Sequence, residues 1–215
     1  MTPEDVVYLS EKGKELYRIK NDKPDTYYVV RTTQTTGDLY PYPSSDKGFS
    51  TLISTTTAVK TEAQLPSGNV SSSVIKNAVK VGSETTISGM MKAIKDNGNG
   101  GSAPANNREY GGTISNSTGM VVPAKPGAVF NPAGTKSASI SINDGPGTFD
   151  FHSHPSGSRE VEGGTARGQQ PPSGGDISGS SPGQQNIVVG MESKTIYIYN
   201  EHQGVIATVP TNAVQ

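Results

Sequence analysis

The sequence predicts an α+β fold, and three observations carry that prediction: strand-type alternation at the start, helix-type periodicity in the middle, and a series of short strand-type segments afterwards. Val6-Val7-Tyr8-Leu9 and Glu15 to Lys20 flank the turn Glu11-Lys12-Gly13-Lys14, so they read as a hairpin. Behind the turn signal Asn21 to Asp25, the segment Thr26 to Thr32 supplies a third strand of aromatic and β-branched residues. Strands beginning this close to Met1 suggest a segment of a larger protein. Residues 32–66 hold Pro41, Pro43 and Gly48 and read mostly as loop. The expected organisation is therefore a β-rich extension over 1–66 ahead of a main domain over 67–215.

From Asn69 the period changes. Val70, Val74, Ala78 and Val81 fall near one helical face, with Asn69 placed to cap the first turn. A second helix is expected from Ser83 to Asn97, where Ile87, Met90, Met91 and Ile94 share a face and Gly98 is placed to stop it; the methionine pair reads as core. Asn97 to Asn107, rich in Gly, Asn, Ala and Pro, reads as a flexible joint leading into a strand over 108–114. Further strand candidates are 128–130, 137–142, 148–154, 186–191, 194–199 and 204–209. No fixed-period repeat is visible, which removes solenoids and propellers.

Composition narrows the function classes. Apolar residues are 31% of the 215, and 26 Gly with 15 Pro point to a folded core with long, turn-rich loops. A net charge of -1 leaves no broad basic field, so nucleic acid is not an expected partner. The absence of Cys removes disulfides, thiolate metal ligands and cysteine nucleophiles together, and confines any metal site to His, Asp or Glu. No apolar run approaches the roughly 20 residues that span a bilayer, and the N-terminus lacks the regions of a secretory signal. No membrane partner is expected either.

The sharpest feature is Thr148-Phe149-Asp150-Phe151-His152-Ser153-His154-Pro155. On a strand, Phe149, Phe151 and Ser153 point one way and Asp150, His152 and His154 the other, so two imidazoles converge from one rigid element. Pro155 cannot donate a ladder hydrogen bond and is placed to end the strand. Zinc accepts imidazole nitrogen and carboxylate oxygen and, when catalytic, keeps one position for water. The third histidine, His202, sits in Asn200-Glu201-His202-Gln203-Gly204 and reads as a turn residue. Downstream stands Ser173-Gly174-Gly175-Asp176, a pattern that alone indicates no more than a turn or helix cap.

Taken in order, Glu109, His152-Ser153-His154-Pro155 and Ser173-Gly174-Gly175-Asp176 resemble the signature of the JAMM (JAB/MPN) metallopeptidase family. The resemblance covers about 70–209. It implies a JAB/MPN-like (cytidine-deaminase-like) sheet flanked by helices, a zinc ion (Zn2+) held by His152, His154 and Asp176, proton transfer by Glu109, and help from Ser173 in holding the oxyanion. Glu84, Glu160 and Glu162 remain substitutes for Glu109. The implied reaction is hydrolysis of a peptide or isopeptide bond in a protein substrate. One departure stands out: Asp176 follows His154 at roughly twice the family's usual interval. The surplus, 156–172, reads as a mobile excursion beside the cleft, which costs only about 0.6 kcal/mol of closure entropy per doubling of length.

Two rivals remain. A cupin-like barrel also carries His-x-His followed by Glu, here Glu160, and would use iron or manganese; a catalytically silent MPN-type module would bind protein without a metal. Tyr8 to Lys14 and Asn21 to Asp25 also resemble segments that precede toxin domains in bacterial RHS-type polymorphic toxins. That resemblance implies a secreted effector with a cognate immunity protein as partner.

Overall fold

The computed structural model describes residues 6–19, 25–30, 78–130 and 138–214. They form a mixed α/β structure, in agreement with the α+β expectation. The three N-terminal strands appear where alternation puts them: β1 (Val6–Ser10), β2 (Glu15–Ile19) and β3 (Thr26–Val30). β1 pairs antiparallel with β2 and parallel with β3. The next element departs from the sequence reading. Val79–Ser83 is not the end of a helix but a strand, β4, paired antiparallel with β3. The period of two wins because Val81 enters the core while Lys80 stays exposed, and because Gly82 adopts φ +153°, outside any right-handed helix. Asn69, Val70 and Val74 lie outside the described residues, as do Asn21 to Pro24 and the expected division at 66/67.

α1 (Glu84–Ile94) is the expected amphipathic helix, started by Ser83, whose hydroxyl accepts the Thr86 N–H. Ile87, Met90 and Ile94 are buried, Met91 packs beside them, and the methionines serve the core. The helix stops three residues earlier than the sequence suggests, because Asn97 turns inward and its N–H closes a turn onto Ile94 O at 3.0 Å. The joint that follows is held, not loose. Asn106 and Asn107 are buried in a 3-10 turn (Pro104–Asn107) and their amides tie back to Gly100 O at 2.6 Å and to Gly101 O and Ala103 O at 3.1 and 3.0 Å.

A six-stranded sheet follows, built from β5 (Gly111–Ser115), β6 (Val121–Pro123), β7 (Thr148–His154), β10 (Asn186–Gly190), β11 (Thr195–Asn200) and β12 (Gly204–Pro210). Its order is β12-β11-β10-β7-β5-β6, with β7 parallel to β10 and antiparallel to β5. Candidates 128–130 and 137–142 shrink to one bridge, Ala128 to Ser139. The 156–172 excursion contains a hairpin, β8 (Ser158–Val161) and β9 (Gly164–Arg167), turned by Glu162 and Gly163. A short helix, α2 (Gly174–Ser178), precedes β10.

One apolar cluster joins Val7, Leu9 and Val29 of the four-stranded sheet and Val81 of β4 to α1 and to Phe151, Ile187, Ile196 and Ile198. Burying such side chains stabilises by about 1.5–3 kcal/mol each. A second, smaller cluster of Ile177, Val188, Tyr197, Tyr199 and Val205 lies under α2. Among the described residues no helix is long and apolar enough to cross a membrane.

Candidate metal centre

β7 is central in its sheet and obeys strict alternation. Phe151 and Ser153 are fully buried on one side, while Asp150, His152 and His154 line a cleft on the other. The strand ends at His154, directly before Pro155. Gly111 of β5 stands opposite His152, and a Cβ there would come within 2.8 Å of the His152 Cβ. The glycine thus permits the close approach of the strand that follows Glu109.

Asp176 reaches the same place from α2. Ser173 and Asp176 form a reciprocal capping box: Ser173 N–H donates to Asp176 Oδ2 at 2.5 Å and Asp176 N–H donates to Ser173 Oγ at 3.2 Å. The Ser-x-x-Asp pattern therefore does what its bland reading requires, and the same carboxylate also meets both imidazoles. Asp176 Oδ1 lies 3.3 Å from His152 Nε2, and Oδ2 lies 3.3 Å from His154 Nε2. The ring centroids are 5.2 Å apart. One ligand atom from each of the three residues lies within 4.8 Å of the others, so this buried group can hold a metal ion. His152 Nε2 is buried and, despite its ion-pair contact with Asp176, has no aligned hydrogen-bond partner. An orphaned ring nitrogen aimed at a carboxylate and a second imidazole is what a shared cation satisfies, and two nitrogens with one oxygen suit zinc.

The electrostatics agree. Burial opposes the charge on Asp176, yet the two imidazoles hold its carboxyl well below the usual carboxylate range. Burial disfavours imidazolium at His152, but Asp150, Asp176 and Glu109 together push it up to about 10. A site that stabilises a proton this strongly stabilises other cations at the same point. Behind His152 lies a row set by strand register: Asp150 on β7, Asn186 on β10 and Tyr199 on β11. Asp150 Oδ1 is 3.6 Å from His152 Nδ1, Tyr199 OH donates to Asp150 Oδ1 at 3.4 Å, and the Asp150 N–H donates to Asn186 Oδ1 at 3.2 Å. Burial and the Asp150 charge raise the Tyr199 phenol, so it stays a donor.

Glu109 is buried, just ahead of β5, and lines the same cleft of about 660 Å³ as the histidines and Asp176. Burial pushes its carboxyl up, the imidazoles pull it back, and the Ile140 N–H donates to it. Glu84, Glu160 and Glu162 are exposed and outside the cleft lining, so of these four candidates Glu109 is the one brought to the histidines. Ser173 is also at the cleft. His202 is exposed in the turn between β11 and β12, where the sequence put it.

The hairpin of the 156–172 segment forms one wall through Ala166 and Arg167, continued by Gly168 and Gln169. Its base is pinned by Gln170, whose Nε2 donates to Pro155 O at 3.0 Å and Gly168 O at 2.9 Å and whose Oε1 accepts from Glu192 N at 2.8 Å and Ser193 N at 3.2 Å. Two contributors carried no signal in the sequence. Asn97 reads there as a helix-end residue and Tyr199 as one of several strand aromatics; only the hydrogen bonds of the folded chain, to Ser153, His154 and Ser156 for Asn97 and to Asp150 for Tyr199, reveal their place. Comparison with protein-family models, curated proteins and solved structures finds no match to this chain.

Proposed function

We propose that the chain is a zinc-dependent hydrolase of JAMM type, acting on a peptide or isopeptide bond of a protein or peptide substrate. The single observation that carries the reading is the convergence of His152, His154 and Asp176 within 4.8 Å, at a cleft also lined by the buried Glu109. When bound, zinc supplies Lewis acidity and lowers the pKa of a water it holds to about 7. Glu109, its basicity raised by burial and its carboxylate held by the Ile140 N–H, takes the proton of the attacking water and returns it to the leaving amine. Ser173 Oγ accepts the Asp176 N–H, so its own hydroxyl proton is available to the oxygen that gains charge; removing such a donor typically costs about 3–4 kcal/mol. Asp150 and Tyr199 back His152 from the far side of the ring. Secretion as a bacterial effector with an immunity partner belongs to the same proposal and rests on the N-terminal resemblance.

The cupin alternative is less well supported: Glu160 is exposed on β8, where Thr165 donates to its carboxylate at 3.0 Å, and it is not in the metal-competent group. The test has two parts. Protein purified without added metal should carry one zinc per chain; iron or manganese would favour the cupin reading, and no metal the silent module. Glu109→Gln should then keep its zinc and lose about 10²–10⁴-fold in turnover of a fluorogenic peptide library. A fully active variant removes Glu109 from the chemistry.

A further inference from the structure

We propose that Asn97 is a positioning residue that locks the Glu109 segment to the His154 ligand. The inference deepens the hydrolase reading and rests on it for its kinetic arm alone. Asn97 is fully buried and leaves α1 pointing into the molecule, away from the solvent that a helix-end asparagine ordinarily meets. Its Nδ2 donates to Arg108 O at 3.2 Å, Ser153 Oγ at 3.0 Å and His154 O at 3.1 Å, and its Oδ1 accepts from Ser156 N at 2.9 Å. Two amide protons serve three acceptors, so one is shared, and both donors are fully used.

The atoms it holds are specific to the site. Arg108 O belongs to the residue before Glu109. On the other side of Glu109, Tyr110 N–H donates to Ser153 Oγ at 3.2 Å and Tyr110 O accepts from Ser153 N at 2.7 Å. The chain is thus fixed both before and after Glu109 by the Asn97–Ser153 pair. Across the joint, His154 O and Ser156 N lie on either side of Pro155, which has no N–H of its own. Sheet pairing ends there, and one side-chain amide replaces it. An apolar residue of equal volume would fill the space but take this partner from Arg108 O, Ser153 Oγ, His154 O and Ser156 N. The segment carrying the proton-transfer group and the strand carrying the metal ligands therefore meet through Asn97.

The test compares Asn97→Ala and Asn97→Asp with the wild-type chain. Asn97→Asp keeps the shape and the acceptor for Ser156 N but loses every donor. Hydrogen exchange in metal-free protein reads the lock directly: Tyr110 and Ser156 amides should lose protection together, while those of β10 and β11 keep theirs. Cobalt affinity should fall about tenfold or more, with a changed visible band. In the zinc enzyme kcat should fall up to about 10²-fold at near-constant KM. Loss confined to Ser156, or uniform loss across the fold, would overturn the proposal, as would an unchanged cobalt band in a folded variant. If neither Asn97 variant folds, Ser153→Ala, which removes the hydroxyl shared by Asn97 and Tyr110 N–H, decides it by the same readouts. The exchange arm is independent of peptidase activity, so a failed hydrolase reading and a failed lock give different results.

Discussion

On the α1 side of the six-stranded sheet, Phe151, Ile187, Ile196 and Ile198 meet Ile87, Met90 and Ile94 in one continuous apolar cluster. The α2 side of the same strands carries Asp150, His152, His154, Asn186 and Tyr199, with Ile177, Val188 and Tyr197 as its apolar company. Adjacent residues of β7 thus serve opposite ends. One face supplies the hydrophobic stabilisation; the other spends part of it on burying charge and ring nitrogens that no hydrogen bond satisfies. The contrast teaches that the buried polar cluster on the α2 side is tolerated because the stability comes from the other face.

That separation can be broken or sharpened by substitution. Phe151→Ala, on the apolar face, should cost about 3–5 kcal/mol in urea unfolding of metal-free protein while leaving metal affinity nearly unchanged; a hundredfold loss of affinity would show the faces coupled. Asp176→Ala should abolish metal affinity and cost the metal-free fold only about 1–2 kcal/mol, through the lost capping box and the lost contact with His152. Wild-type protein should gain about 4 kcal/mol at zinc a thousandfold above its dissociation constant, seen as a rise in Tm, and the variant should gain none. Asp150→Asn should weaken zinc by about 10–100-fold in chelator competition, since it removes the charge behind His152 and leaves the ligands themselves.

The smallest effect is a count of protons. His152 lies above its ordinary 6.5, at about 10 in the metal-free protein, so its ion pair stabilises that fold fully below pH 6.5 and is lost as pH rises through about 10. On the proposed reading, zinc would displace the imidazole proton. Calorimetry at pH 7 in buffers of different ionisation enthalpy should find about one proton released per metal, falling towards none above pH 10. No release at pH 7 would mean that His152 is already neutral.

The sequence made β7 legible because a period of two, interrupted by Pro155, is a local signal. It also made α1 and β1 to β3 legible, for the same reason. It misassigned Val79–Ser83, where two valines fit either period and only the open edge of β3 decides. It read 97–107 as loose, because small polar residues look alike in sequence whether they face water or close a buried hydrogen-bond network. The hairpin at 158–167 was likewise hidden: its strands are short and its partners local, and Glu162-Gly163 is a weak turn signal. The metal-competent group of His152, His154 and Asp176 was legible as three residue types in order, but the capping box that aims Asp176, and the row of Asp150, Asn186 and Tyr199 across three strands, exist only after folding.

The anchoring of Gln170 has a mechanical consequence. With four hydrogen bonds gripping the chain between β9 and α2, the hairpin is a cul-de-sac: its turn at Glu162 and Gly163 can be lengthened, shortened or exchanged without transmitting strain to the carboxylate six residues beyond the grip. The stretch separating His154 from Asp176 in sequence is therefore also a place where new surfaces can be grafted, each one delivered to the rim of an unaltered cleft.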